Sequence, residues 1–182
     1  MQFKISLAGD LGSGKSTVAK ILKERFNAQI VSAGHIYREI AAKLNMTVEE
    51  FNINNESDKQ YDTLVDDMLK SYDEKCGDYI FDSRLAWHFV PSAVSFYLSA
   101  DKEVAAKRVF DAMRADEHFA SFEETLASLT SRRASERRRY YDYYKVDIMD
   151  MANYDCVIDT TNLCPEDVAE RIIAFYMQKI GQ

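Results

Sequence analysis

The chain has 182 residues, 47% of them hydrophobic, with only two prolines and no low-complexity tract or solenoid-period repeat; this excludes a disordered or repetitive protein and fits one α/β domain with a real core. Its 30 acids outnumber 23 lysines and arginines, a formal charge of −7, so nucleic acid and anionic membranes are repelled and neither is an expected partner. The amino terminus has no charged-then-apolar signal pattern, no segment reaches the ~18 apolar residues of a membrane span, and Cys76, Cys156 and Cys164 form neither a CxxC pair nor an even disulfide set, so buried thiols and a cytoplasmic setting are expected.

The first apolar run, Phe3 to Ala8, is long enough for one buried strand. Directly after it, Gly9 to Thr17 reads GDLGSGKST, a full match to GxxxxGK[ST], and Val18, Ile21 and Leu22 then recur at helical spacing. A strand, a glycine-rich turn and a helix in that order make a phosphate-binding loop. Gly9, Gly12 and Gly14 let the backbone bend so that its N–H groups, that of Ser13 among them, turn toward phosphate oxygens. Lys15 would reach the β- and γ-phosphates, Ser16 would place its hydroxyl on Mg²⁺ with Thr17 behind it, and the helix would add the positive end of its dipole.

Four more strands are predicted at Gln29 to Ser32, Tyr79 to Phe81, Val94 to Leu98 and Cys156 to Ile158. Their alternation with long helical segments implies a five-stranded parallel sheet covered on both faces, the layout of a P-loop NTPase kinase. Between the second and third strands, Tyr61, Leu64, Val65, Met68, Leu69 and Tyr72 trace one apolar helix face, which reads as core. Glu49 to Lys75 holds nine acids against three bases, a solvated face and no anion site. Pro165, Glu166 and Asp167 mark the start of a closing helix whose Val168, Ile172, Phe175 and Tyr176 face the sheet. His35, His88 and His118 lack metal-ligand spacing, so zinc is not expected.

Residues 132 to 139 read RRASERRR. On a helix Arg132, Glu136 and Arg139 share one face, and Arg133 and Arg137 make a neighbouring stripe. Five arginines in eight residues of an acidic chain create a local positive field, and guanidinium forks match phosphate oxygens, so phosphate binding is expected there. Arg38 follows the second strand and Arg84 the third. Ligands of open parallel sheets bind at the carboxyl ends of the strands, so both should face the crevice of the phosphate loop. Arg108 lies on the helix after the fourth strand. Asp82 ends the third strand and is either a carboxylate that holds Mg²⁺ through water or a cap on the following turn.

These residues resemble a nucleoside monophosphate kinase, and more closely the short, archaeal-type cytidylate kinases. The resemblance covers nearly the whole chain and rests on the phosphate loop, SAGHIYR at Ser32 to Arg38, DSRLAW at Asp82 to Trp87, SRRASERRRY at Ser131 to Tyr140 and DTT at Asp159 to Thr161. It implies transfer of the γ-phosphoryl of ATP to CMP or dCMP with Mg²⁺; a monomer is expected because the sequence has no heptad seam or long exposed apolar stripe. It also implies one kinase domain over 1–182: a core of about 1–33, 79–110 and 150–182, a monophosphate-binding insertion at about 34–76 and a mobile, arginine-rich lid at about 111–145. By the same resemblance Arg38, Arg84, Arg132 and Arg139 hold the monophosphate and the transferring group, and Glu136 approaches the pyrimidine or its ribose. Arg108 lies on the ATP side, and the segment around Thr161 lines the adenine pocket through its backbone. Two departures stand out: Ala33 replaces a serine frequent in relatives, and Asp10 and Leu11 occupy a stretch where many kinases have proline, which would set a negative charge beside the phosphates.

An acceptor phosphate is mostly ionised at neutral pH, its second pKa lying near ~6, so no general base is required and alignment with charge neutralisation suffices. Two other readings fit the loop. One is a P-loop kinase for a small hydroxyl substrate, with Asp82 as base; the other is a nucleotide-dependent switch without transfer, although the NKxD and DxxG elements of GTPase switches do not occur.

Overall fold

The computed structural model describes residues 3–46, 60–112 and 121–181. Five strands, β1 (Lys4–Gly9), β2 (Gln29–Ser32), β3 (Tyr79–Asp82), β4 (Val94–Ser99) and β5 (Cys156–Asp159), form one sheet in the order β2-β3-β1-β4-β5, and every pairing is parallel. Around them run α1 (Lys15–Phe26), α2 (Ala33–Lys43), α3 (Gln60–Glu74), α4 (Ala86–Phe89), α5 (Lys102–Asp111), α6 (Phe122–Tyr144) and α7 (Pro165–Ile180). The expected strands are all present; β2 has the expected bounds, and the other four run one residue further at the carboxyl end. The added residues bring Gly9, Asp82, Ser99 and Asp159 into the sheet.

β1 is central and buried along its whole length, which explains its near-continuous apolar run. Two polar side chains interrupt it: Ser6, whose buried Oγ has no partner among the described residues, and Lys4, whose ammonium donates to the carbonyls of Tyr72 at 3.0 Å and Asp73 at 2.6 Å, in the last turn of α3, where the helix dipole favours a cation. One layer packs α1 and α7 on the sheet through Ile5, Leu7, Val18, Leu22, Phe96 and Ile172. The other packs α2, α3 and α4 through Val31, Ile36, Ile40, Leu69, Tyr72 and Phe81. Within the predicted α3 stripe Leu69 and Tyr72 are buried and Leu64, Val65 and Met68 half-buried, so this part of the apolar face is core; the Tyr61 side chain lies outside those described.

Register decides where chemistry can occur. Leu7 and Ser32 both pair with Asp82, Gly9 pairs with Leu98, and Ser99 pairs with Asp159, so the loops after all five strands open on one edge. The thiols depart from expectation: Cys76 and Cys164 are exposed and Cys156 is half-buried, all three free. Cys164 caps α7, its Sγ accepting from the Asp167 amide at 3.4 Å, a position that faces solvent. Among the described residues no helix is long and apolar enough to cross a membrane.

Candidate active site at the phosphate loop

The loop between β1 and α1 is shaped by glycine for two different reasons. A Cβ on Gly12 would lie 2.5 Å from the Ala105 carbonyl oxygen, so that residue is excluded by the close approach of α5. Gly14 has open space around it but adopts φ 89°, a left-handed geometry costly for other residues. Gly14 also caps α1 without a side-chain bond, and the first turn of α1 holds no acid. The positive end of that helix is left uncompensated, the condition for binding an anion there.

Lys15 folds back on the loop, donating to the carbonyls of Gly9 at 3.0 Å and Asp10 at 2.7 Å. Burial, and after it the neighbouring Arg84, pulls its ammonium down to about 7, against Asp82, Asp10 and Glu136, which push it upward. Ser13 is buried and donates through Oγ to the Asp10 carbonyl at 2.9 Å, so its side chain braces the loop. Ser16 Oγ lies 3.2 Å from the Asp82 carboxylate. A hydroxyl and a carboxylate oxygen at that spacing are hard oxygen donors of the type Mg²⁺ takes.

Arg84 is the link between the sheet and the arginine-rich helix. It donates through Nε to Glu136 at 2.9 Å and through a terminal nitrogen to the Gly9 carbonyl. Glu136 also pairs with Arg132 at 3.3 Å, so its carboxylate sits between two guanidiniums. Lys15, Ser16, Asp82, Arg84, Arg132 and Glu136 thus line a single cleft of about 290 Å³. Arg139 lies outside that lining; it shares an adjoining 620 Å³ cleft with Arg132 and Glu136 and stacks on Tyr140, its guanidinium 5.0 Å from the ring centre. Arg38 is exposed on α2, a guanidinium nitrogen over Gly34, and lines neither cleft.

On the other flank of the loop, Arg108 donates to the carbonyls of Thr160 at 2.7 Å and Thr161 at 3.2 Å. A 330 Å³ cavity opens there between Arg108, Gly12, Ser13, Gly14, Thr17 and Thr160. Thr161 turns its side chain away, with Oγ1 donating to Asp159 at 2.5 Å and accepting from the Asp101 amide at 3.0 Å; only its carbonyl meets Arg108.

Several working residues escape a reading of the sequence. Thr160, almost fully buried, sets its Oγ1 within hydrogen-bond reach of the carbonyls of Ser13 at 3.1 Å and Ser99 at 2.9 Å, which share its one proton, tying the loop to the ends of β4 and β5; its place after the β5 run in DTT is the only signal. Asp10 is placed differently from expectation. Its carboxylate does not line the Lys15 cleft but accepts from the Tyr97 hydroxyl at 2.7 Å, the Ala100 amide at 3.0 Å and Arg133 at 3.0 Å. The carboxylate is bonded to the end of β4 and to α6, while its charge still acts on Lys15 through space. No local pattern announces Tyr97 or Arg133 in this role, because both are brought to Asp10 by topology.

Residues 4–162 match the Cytidylate kinase-like family. The chain is 36% identical over 182 residues to a cytidylate kinase of Sulfolobus acidocaldarius, covering 97% of this chain and 95% of that protein. To a cytidylate kinase of Archaeoglobus fulgidus it is 35% identical over 171 residues, 93% of this chain and 92% of the relative. Among solved structures, a shikimate kinase from Acinetobacter baumannii in complex with shikimate aligns with a TM-score of 0.61 at 19% identity, over 98% of this chain and 95% of that one, a likeness of fold. The family match runs from β1 through the phosphate loop and the arginine-rich helix to the Thr160–Thr161 turn, and the chain belongs to the cytidylate kinase-like family.

Proposed function

We propose that this protein transfers the γ-phosphoryl group of ATP to the phosphate of CMP or dCMP, yielding ADP and the cytidine diphosphate. One observation carries the reading beyond the family: Glu136 sits between Arg84 and Arg132 in the cleft that also holds Lys15. A protein carboxylate there occupies the position that an acceptor phosphate would take, bonded by the same donors.

In this reading the triphosphate lies over the amino terminus of α1, and Lys15 leaves the Gly9 and Asp10 carbonyls for the β- and γ-oxygens. Ser16 and, through water, Asp82 would hold Mg²⁺, which would supply neutralisation of the phosphate charge. The ATP base side is the cavity flanked by Arg108 and the Thr160 and Thr161 carbonyls. Arg84 and Arg132 exchange Glu136 for the acceptor phosphate, and Arg139 and Arg38 complete the clamp as the 111–145 lid and the 34–76 insertion close on the core. Parts of both segments, residues 47–59 and 113–120, lie outside the described residues. An ionised acceptor oxygen then attacks the γ-phosphorus, the bond to the β-phosphate oxygen breaks, and ADP leaves with the electron pair. No side chain needs to take a proton, and Asp82, hydrogen-bonded to Ser16, is not required as a base. The released Glu136 is left facing the nucleoside.

An ADP-release assay with MgATP and a panel of CMP, dCMP, UMP, AMP, GMP, shikimate and no acceptor tests this. Turnover greatest with CMP or dCMP is expected; turnover confined to shikimate, or equal with and without acceptor, would overturn it.

A further inference from the structure

The arginine-rich helix α6 has two polar faces, and the phosphoryl-transfer reading uses one. Arg132, Glu136 and Arg139 line the clefts beside Lys15. Leu126, Thr130, Arg133, Arg137, Arg138 and Tyr141 recur at intervals of three, four or one along the opposite face, and all of them line a separate cavity of about 690 Å³. Its size falls in the range of small-molecule sites, roughly 300–1,000 Å³. It shares only Leu11 with the Lys15 cleft and nothing with the cavity beside Arg108.

The lining has a definite chemistry. Leu11, Ala105, Leu126, Leu129 and Met149 give it an apolar floor, and Tyr141, 56% exposed, offers a ring at its edge. Six charged groups face it: Lys102, Arg133, Arg137 and Arg138 against Asp10 and Asp147. Both acids are already paired, Asp10 with Arg133 at 3.0 Å and Asp147 with Arg137 through two bonds of 2.5 and 2.9 Å. Lys102 and Arg138, from α5 and α6, are exposed and make no ion pair among the described residues. In a chain of net charge −7, two uncommitted cations over an apolar floor select an anion with a planar apolar body.

We propose that this cavity is a second ligand site, separate from the Lys15 cleft, for an aromatic anion such as a nucleotide or an aromatic carboxylate. The apolar body lies between α5 and α6, and the anionic group meets Lys102 and Arg138. Arg133, which borders the cavity, also holds Asp10 of the phosphate loop at 3.0 Å.

The probe is 8-anilinonaphthalene-1-sulfonate, followed by its fluorescence on the folded protein with CMP and a non-hydrolysable ATP analogue saturating. Saturable binding that survives those nucleotides is expected, weakened at least tenfold in Lys102→Glu/Arg138→Glu and lost in Ala134→Trp, where an indole from an exposed helix position fills the cavity. Both variants must retain the wild-type far-ultraviolet circular dichroism; should one misfold, the other decides. Displacement by CTP identifies a nucleotide site, and displacement by 2-naphthoate alone a carboxylate site. No saturable binding, loss of the signal when the catalytic nucleotides are added, indifference to both variants, or displacement by neither competitor would overturn the proposal.

Discussion

Removing the Asp10 carboxylate should unfasten α6 from the phosphate loop. In Asp10→Ala three donors lose their acceptor: the Tyr97 hydroxyl, the Ala100 amide and Arg133. Asp10 is 8% exposed, so water replaces the carboxylate poorly. Burial, and then the bond to Asp10, pushes the Tyr97 hydroxyl well above its usual pKa, so it stays a donor and is left with only the weak thioether acceptor of Met149, 3.4 Å away. Hydrogen bonds to a charged group contribute ~1.5–3 kcal/mol each and are not additive within one cluster. With Arg133 one-third exposed its share is discounted for solvent screening, and the loss comes to about 3 kcal/mol. For a chain of this length that lowers Tm by about 6–12 °C. Arg133→Met, which leaves Asp10 two neutral donors, should cost only about 1 kcal/mol. Thermal denaturation of wild type, both single variants and the double variant closes the cycle. The double variant should be more stable than the sum of the singles by roughly 1 kcal/mol; losses additive within ~0.3 kcal/mol would show that the pair is not coupled and refute the reasoning.

Three further outcomes follow from the site. Lys15, near 7 when free, is raised by a bound polyphosphate, so above pH 7 nucleotide binding should take up close to one proton and its affinity should fall as pH rises toward the bound-state pKa, with no such slope below pH 7; calorimetry in buffers of different ionisation enthalpy reads the uptake, and an identical value in Lys15→Met would exclude Lys15 as the source. Glu136→Gln removes the charge that competes for Arg84 and Arg132, so inhibition by inorganic phosphate should strengthen by about tenfold, the equivalent of one charge-assisted bond, whereas an unchanged inhibition constant contradicts the stand-in role of Glu136. Gly12→Ala drives a methyl against the Ala105 backbone and should unfold several degrees below wild type with nucleotide affinity reduced, and a wild-type Tm would mean that α5 does not press on the loop as described.

What the sequence discloses about this fold follows the range of each interaction. The strands, the loop and the Pro165 helix start are legible because each is written in a few adjacent residues. The two stripes of α6 are legible too, since helical spacing alone separates Arg132, Glu136 and Arg139 from Arg133 and Arg137. The partner of each stripe is not. Glu136 meets Arg84 from 52 positions away, and Asp10 meets Tyr97 across 87; both pairings exist only once the parallel crossovers have set the strand order. For the same reason the anchoring bonds of Asp10 could not be read from its place beside the phosphate loop. The cysteines misled because their number spoke of redox setting, whereas their exposure depends on a helix cap and a turn.

The most direct measurement of the central claim is the fate of the γ-phosphoryl group in a single turnover of [γ-³²P]ATP with Mg²⁺ and excess CMP. Label should move into CDP in wild type and remain in ATP in Lys15→Ala, with Arg132→Ala and Arg84→Ala slowed at least tenfold, as expected for the loss of one charge-assisted contact. Label that appears only as inorganic phosphate, or reaches CDP as fast without Lys15, would contradict the account.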